Sequence, residues 1–354
     1  MSEKFWPRAI LHLDMDAFFV NVHLLDHPEH RGLPIAVGGS PSGRGVVASA
    51  SYEARQFGVR SAMPSATAIK LCPNITFVRH NWEKIRDCSR QVMALLGEYG
   101  DLEKMSVDEA YVDLSHHDSP ESLALVIRGQ VKRETGLPAS VGLATSKLVA
   151  KVASDYDKPE GGTIVAPGEE AAFLAPLPVR ALHGIGPRTA EKLSLLKIGT
   201  CGQLATADLN QLRLVFGKHA EGLQQRAKGV DRRPVESEGG IAKSISQEWT
   251  FNEDIARAEQ LETKLVEMCA DVAQSLQRKN LVAHTVFVKF RWADFTTFTR
   301  QKTVDVGIDR EGDIVRLASA VWREHWPEGQ PMRLLGVGVS NIEQMYGRQL
   351  PLFD

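Results

Sequence analysis

Two short acidic clusters hold the most chemistry in this chain. Asp14 and Asp16 stand two apart at the end of the apolar run 9–13, and Asp108 and Glu109 are adjacent within Ser-Val-Asp-Glu-Ala-Tyr at 106–111. Residues two apart on a strand project from one face, so Asp14 and Asp16 are expected to share a face. Like charges that close are unfavourable in a partly buried site unless a cation or a hydrogen-bond network compensates. Adjacent Asp108 and Glu109 would point to opposite faces of a regular strand, so a tight turn or irregularity is expected beside them. Three or four carboxylates at two strand ends suit a pair of Mg²⁺ ions, which take a few carboxylates plus phosphate oxygens and support in-line phosphoryl transfer. On the residues alone a polymerase, a nuclease and a cyclase all stay open, as does a plain cap of acidic residues on strand ends.

The elements that must position these groups follow from periodicity. Residues 9–13 read as a strand. From 21 to 80 turn signals dominate (His27-Pro28, Gly38-Gly39-Ser40-Pro41, Cys72-Pro73-Asn74), with a helix from about Ser51 and another at 65–71, which describes a small inserted subdomain. From Trp82 the pattern is regular: helix to about 99, strand 103–114, helix 119–135, strand 139–144 and helix from Ser146, an α/β or α+β layer. Residues 173–236 read as helical, and there Gly184 and Gly186 precede a helix at 188–196, where backbone N–H groups and the helix dipole can receive an anion. Residues 236–240 read as an exposed linker. Beyond it, strand 241–249, helix 256–279, strands 281–292 and 295–304, helix 313–325 and strand 332–340 give the ferredoxin-like order β-α-β-β-α-β. Its open sheet face is expected to carry Lys289, Arg291, Arg300 or Lys302.

Composition bounds the function classes. A chain of 354 residues calls for about two to four cores. With 43% hydrophobic and 24% charged residues, disorder, collagen-like repeats and coiled coil are excluded. No apolar run is long enough to span a membrane, and residues 1–8 carry Glu3, Lys4 and Arg8 in place of a secretory leader, so a cytoplasmic location is expected. The four cysteines are far apart without a Cys-x-x-Cys pair, which argues for neither a disulfide framework nor a zinc site. The net charge of -2 speaks against a nucleic-acid partner until it is divided by region. Residues 1–177 hold 18 basic and 22 acidic side chains, residues 178–240 hold 10 and 6, and residues 241–354 hold 14 and 16. A basic middle is hidden by an acidic front.

Together these segments resemble the Y-family DNA polymerases, and among them the bacterial DNA polymerase IV type. The likeness runs nearly end to end and rests on residues 12–19 (HLDMDAFF), 51–64 (SYEARQFGVRSAMP), 106–111 (SVDEAY) and 149–159 (VAKVASDYDKP). It implies an α+β right-hand polymerase: a ferredoxin-like palm at 1–18 and 81–172, small fingers at 19–80, a helical thumb at 173–236 with a helix-hairpin-helix around Gly184 and Gly186, a linker at 237–240, a ferredoxin-like little finger at 241–341, and a tail at 342–354. It also implies that Asp14, Asp108, Glu109 and the main-chain carbonyl of Met15 hold two Mg²⁺ ions, with Mn²⁺ as an alternative. Tyr52, Arg55 and Lys158 would hold the triphosphate beside Phe18, and Phe19 would be the steric gate against a ribose 2′-hydroxyl. Asp16 has no clear ligand role in that pattern. The chain departs from many relatives at Ser51, where they have Asn, and at His23, where they have Glu.

The implied partners are primer-template DNA and deoxynucleoside triphosphates, the implied activity is low-fidelity translesion synthesis without a proofreading exonuclease, and a monomer is expected. The last six residues, 349–354 (QLPLFD), are similar to the bacterial sliding-clamp-binding peptide, with Gln349, Leu350, Leu352 and Phe353 as anchors. The alternative is a catalytically silent clamp-binding adaptor of the same family, which the retained Asp14, Asp108 and Glu109 disfavour.

Overall fold

The computed structural model describes residues 6–345, so Gln349, Leu350, Leu352 and Phe353 lie outside the described residues. The first apolar run becomes β1 (Ile10–Met15), a central strand buried at every position, with Leu11, Leu13 and Met15 on one face and Ile10, His12 and Asp14 on the other. Ala17 takes a left-handed φ of 41° and turns the chain straight into α1 (Phe18–Asp26). The turn-rich stretch holds more order than its composition reveals. There β2 (Ile35–Gly38) and β3 (Val47–Ala50), followed by α2 (Tyr52–Gln56), α3 (Ser65–Leu71) and β4 (Thr76–Val78), build a three-stranded sheet in the order β3-β2-β4. Strands of three or four residues, with β2 buried throughout, are too short to show alternation.

The next elements are α4 (Trp82–Gly97), β5 (Leu102–Lys104), β6 (Glu109–Asp113), α5 (Pro120–Thr135), β7 (Ala139–Ala144), α6 (Lys147–Tyr156) and β8 (Gly162–Ile164). They complete a five-stranded sheet in the order β5-β6-β1-β7-β8. The strand expected at 103–114 is thus two strands. The N–H groups of Met105 and Ser106 both bond to the Glu109 carbonyl, at 3.0 and 3.2 Å, closing a turn that contains Asp108. That turn is the irregularity expected beside the acidic pair.

One face of this sheet packs Leu11, Leu13, Ala110 and Val112 against Ile85, Val92, Leu96 and Ile127 of α4 and α5. The other face receives α6, whose Leu148, Val149 and Val152 share a core with Ile10 and Tyr111. Gly142 permits that close approach: a Cβ there would lie 2.1 Å from the Ala150 carbonyl and 2.3 Å from the Ser154 nitrogen, both backbone atoms of α6. Gly142→Ala must push the helix off the sheet. We expect it to cost about 3 kcal/mol, read as a lower urea midpoint; an unchanged midpoint would show that α6 can yield.

Helices alone continue the chain: α7 (Glu170–Leu174), α8 (Pro187–Leu195), α9 (Cys201–Thr206), α10 (Leu209–Phe216) and α11 (Ala220–Ala227). The C-terminal elements are β9 (Ser244–Ile255), α12 (Ala258–Arg278), β10 (Leu281–Trp292), β11 (Thr297–Ile308), α13 (Glu311–His325) and β12 (Met332–Gln344), in the expected β-α-β-β-α-β order. Their sheet runs β11-β10-β12-β9 with every neighbouring pair antiparallel, and β12 extends three residues past 341. Helices α12 and α13 cover one face through Leu265, Val272, Val321 and Trp322 against Val286, Val288 and Phe290.

By contacts the chain divides into two compact units, one comprising residues up to 39 and 46–239, the other residues 40–45 and from 240 on. Among the described residues no helix is long and apolar enough to cross a membrane.

Candidate active site

The sheet register assembles the carboxylates. Asp14 on β1 lies directly opposite Glu109 on β6, and the Met15 N–H donates to the Asp108 carbonyl at 3.0 Å, locking the two acidic segments together. Residues paired across an antiparallel ladder share a face, so Asp14 and Glu109 meet on the side covered by α6. Asp108 reaches the same cleft from the turn. Its backbone N–H and that of Glu109 both donate to Ser106 Oγ at 3.1 Å, and the Ser106 hydroxyl donates to Asp108 Oδ1.

Helix α6 supplies the counter-charge. Lys151 Nζ lies 2.7 Å from Glu109 Oε2, and Lys158 Nζ, in the loop beyond the helix, lies 2.7 Å from both Asp14 Oδ2 and Asp155 Oδ1. Burial pushes the Asp14 carboxyl up to about 7, against the pull of Lys158, with the charge of Glu109 adding to the rise. Burial works the same way on Glu109, but the Lys151 ammonium holds that carboxyl below its ordinary range. Burial likewise opposes the Lys158 charge, yet Asp14 and Asp155 hold its ammonium above the usual lysine range. Among the described residues Asp108 makes no ion pair.

His12 is fully buried beneath these groups. The Ser154 hydroxyl donates to the Lys151 carbonyl at 2.9 Å, so His12 Nδ1 donates to Ser154 Oγ at 2.7 Å and Nε2 is left bare, 3.9 Å from Glu109 Oε2. Burial, then Lys151 and Lys158, keep this imidazole neutral. Three carboxylates with a lysine on only two of them form a hard oxygen donor set that fits divalent Mg²⁺ or Mn²⁺.

The rest of the cleft is polar on one side and aromatic on the other. Asp14, Met15, Phe18, Phe19, Tyr52, Arg55, Asp108, Glu109 and Lys158 all line it, so the structure brings together the sequence-predicted palm and fingers residues. Arg55 stacks over the Tyr52 ring at 4.5 Å and gives its Nε to the Ala50 carbonyl at 3.0 Å, which fixes the plane of its guanidinium. The Tyr52 hydroxyl donates to Asp16 at 3.2 Å, and its pKa is pushed up to about 12 by burial and by the Asp16 charge. Phe18 is only 2% exposed and belongs to the palm core, whereas the half-buried Phe19 meets the Trp82 ring edge-on at 5.5 Å.

Asp16 corrects one expectation. It lies past the end of β1, is 1% exposed, and accepts from Ser140 Oγ at 2.9 and 3.0 Å and from the Glu160 N–H at 2.8 Å. It does not line the cleft with Asp14: it braces Tyr52 and the loop that follows Lys158. Lys151, His12, Ser106 and Trp82 escaped sequence reasoning, although Lys151, Ser154, Asp155 and Lys158 recur at helical spacing.

At the predicted phosphate-binding turn, Gly184 has φ +88° and Gly186 precedes α8 without a side-chain cap. Arg226 donates to the His183 carbonyl there at 3.1 Å. The C-terminal sheet requires a second correction. Hairpin register sets Arg300 opposite Val288 and Lys302 opposite Val286, so both lie on the helix-covered face; Lys302 pairs with Glu324 of α13 at 3.2 Å and Arg300 lies over the Phe298 ring. Of the four, Lys289 and Arg291 lie on the open face, where Lys289 pairs with Glu248 at 2.7 Å.

Comparison with known proteins agrees with this architecture. Residues 13–155 match the impB/mucB/samB family, residues 242–352 that family's C-terminal domain, and residues 167–198 the IMS family HHH motif. The chain is 41% identical over 341 residues to DNA polymerase IV of Halorhodospira halophila, covering 95% of this chain and 96% of that one. It is 40% identical over 342 residues to DNA polymerase IV of Akkermansia muciniphila, with 95% of each chain covered. Among solved structures, a Y-family DNA polymerase chimera of Dbh and Dpo4 superposes with a TM-score of 0.83 at 25% identity, covering 95% of this chain and 99% of that one. An insertion ternary complex of Dbh DNA polymerase superposes with a TM-score of 0.68 at 25% identity over the same shares. The chain belongs to the impB/mucB/samB family of Y-family DNA polymerases and, within it, to the DNA polymerase IV type.

Proposed function

We propose that this enzyme adds deoxynucleotides to a primer 3′-hydroxyl on a DNA template with low fidelity, in damage tolerance and repair. The convergence of Asp14, Asp108 and Glu109 with Tyr52, Arg55 and Lys158 in one cleft carries the proposal. The reaction forms a bond from the primer O3′ to the α-phosphorus and breaks the bond to pyrophosphate. Asp14, Asp108, Glu109 and the Met15 carbonyl would hold two Mg²⁺ ions, which when bound offset phosphate charge and lower the pKa of the attacking hydroxyl. The planar Arg55 fork and the Lys158 ammonium bind triphosphate oxygens, and Tyr52 donates its hydroxyl once it leaves Asp16. Phe19 closes the space beside the sugar.

Gly184, Gly186, Lys289 and Arg291 are proposed to contact DNA phosphates. The domain limits at 18, 80, 172, 236 and 241 are proposed to divide palm, fingers, thumb, linker and little finger, in a cytoplasmic monomer. Incubation of an end-labelled primer-template with deoxynucleotides and Mg²⁺ tests the reading. Lengthening supports it; shortening indicates a nuclease, and an unchanged primer with Mg²⁺ and with Mn²⁺ a silent family member.

The C-terminal peptide is proposed to bind the sliding clamp, holding the enzyme at the primer end at high effective concentration. Deleting residues 349–354 should remove clamp stimulation, on the order of a hundredfold, and leave basal extension intact. Equal stimulation of the truncated chain refutes the tether.

A further inference from the structure

The notable cluster of metal-ligating side chains outside the cleft lies at the far end of α1. His23 and His27 are one helical turn apart, so their rings share a face. Pro28 then starts a 3₁₀ turn over 28–30 that brings His30 back to them, with the His30 N–H on the His27 carbonyl at 3.1 Å and the Arg31 N–H on the Pro28 carbonyl at 3.2 Å. The three imidazoles stack nearly parallel, with centroids 4.4 to 5.6 Å apart. His23 Nε2 lies 2.9 Å from His30 Nδ1, and one ring nitrogen from each of the three lies within 4.8 Å of the others.

We infer that His23, His27 and His30 form a binding site for a borderline transition-metal dication, with Zn²⁺ as its ordinary occupant. An ion held at about 2.1 Å by each nitrogen in a tetrahedral shell separates the nitrogens by about 3.4 Å, so side-chain rotation on this backbone closes the site. The surroundings match. Glu29 Oε1 lies 3.1 Å from His27 Nδ1, which orients that ring and leaves Nε2 to ligate, the arrangement usual behind metal-bound histidine.

Three imidazoles without a carboxylate ligand exclude Mg²⁺ in favour of Zn²⁺, Cu²⁺ or Ni²⁺. The exposed His27 leaves the fourth position open to water. Loading would staple the last turn of α1 to the turn after it, one helical turn beyond Phe19, whose ring lines the same cavity as His23 and His27. The buried Cys72, Cys88, Cys201 and Cys269 do not compete for the ion.

Zn²⁺ titrated calorimetrically into the full chain, held in excess Mg²⁺ to occupy the carboxylate site, tests the inference without reading polymerase activity. One Zn²⁺ should bind with micromolar affinity or better, and His27→Gln and His30→Gln should each weaken it at least about tenfold. Absence of binding at tens of micromolar Zn²⁺, or binding of equal stoichiometry and affinity in the double variant, overturns the site. Co²⁺ bound to the unaltered chain provides a check that no variant can confound. Intense visible bands of a four- or five-coordinate ion support the site, and only the weak bands of an octahedral oxygen shell refute it.

Discussion

Asp108→Ala lowers primer extension to background, a loss on the order of a thousandfold or more in kcat/KM. Asp14 and Glu109 each retain a lysine partner, whereas Asp108 faces the cleft with only the Ser106 hydroxyl on it. Its carboxylate is therefore the least committed of the three and the most available to a divalent ion. Alanine removes the charge and puts nothing in its place. The fold should tolerate the change, because Asp108 lies in a turn outside β6 whose closure rests on Glu109, Met105 and Ser106 backbone bonds. Thermal midpoint and circular dichroism separate lost chemistry from lost structure. Undiminished synthesis by a folded variant would remove Asp108 from the metal site and the two-ion assignment with it.

Phe19→Ala admits ribonucleotides, lowering the kcat/KM preference for deoxynucleotides by about a hundredfold. A gate works only if the ring cannot yield. Phe19 sits in the first turn of α1, its ring wedged 5.8 Å from Phe18 and 5.5 Å from Trp82 while one side lines the cleft. Phe18 cannot move because it belongs to the palm core. Deleting the Phe19 ring opens space where a 2′-hydroxyl would sit and removes no group that holds phosphate. Deoxynucleotide extension should therefore fall far less than discrimination does. Single-nucleotide insertion with matched ribo- and deoxyribonucleotides measures the ratio, and an unchanged ratio refutes the gate.

The legibility of the sequence varied with the length and amphipathicity of each element. Helices at 82–97 and 120–135 were readable because each repeats its apolar period several times. The fingers strands were not, since three or four buried residues between turn signals carry no period. The bend at Asp108 was legible for a chemical reason: two adjacent carboxylates can serve one cleft only if the strand breaks. Asp16 was misplaced because the period-two rule holds only while the strand lasts, and β1 stops at Met15.

By itself, then, the sequence determined which groups could do chemistry and which family's motifs they belong to. Tertiary structure decided which of them meet. Cross-strand register put Glu109 opposite Asp14, Gly142 let α6 descend far enough for Lys151 and Lys158 to reach them, and the β10–β11 hairpin turned Arg300 and Lys302 toward the helices. Register and helix approach are settled by contacts between segments distant along the chain, and side-chain spacing within one segment carries no record of them.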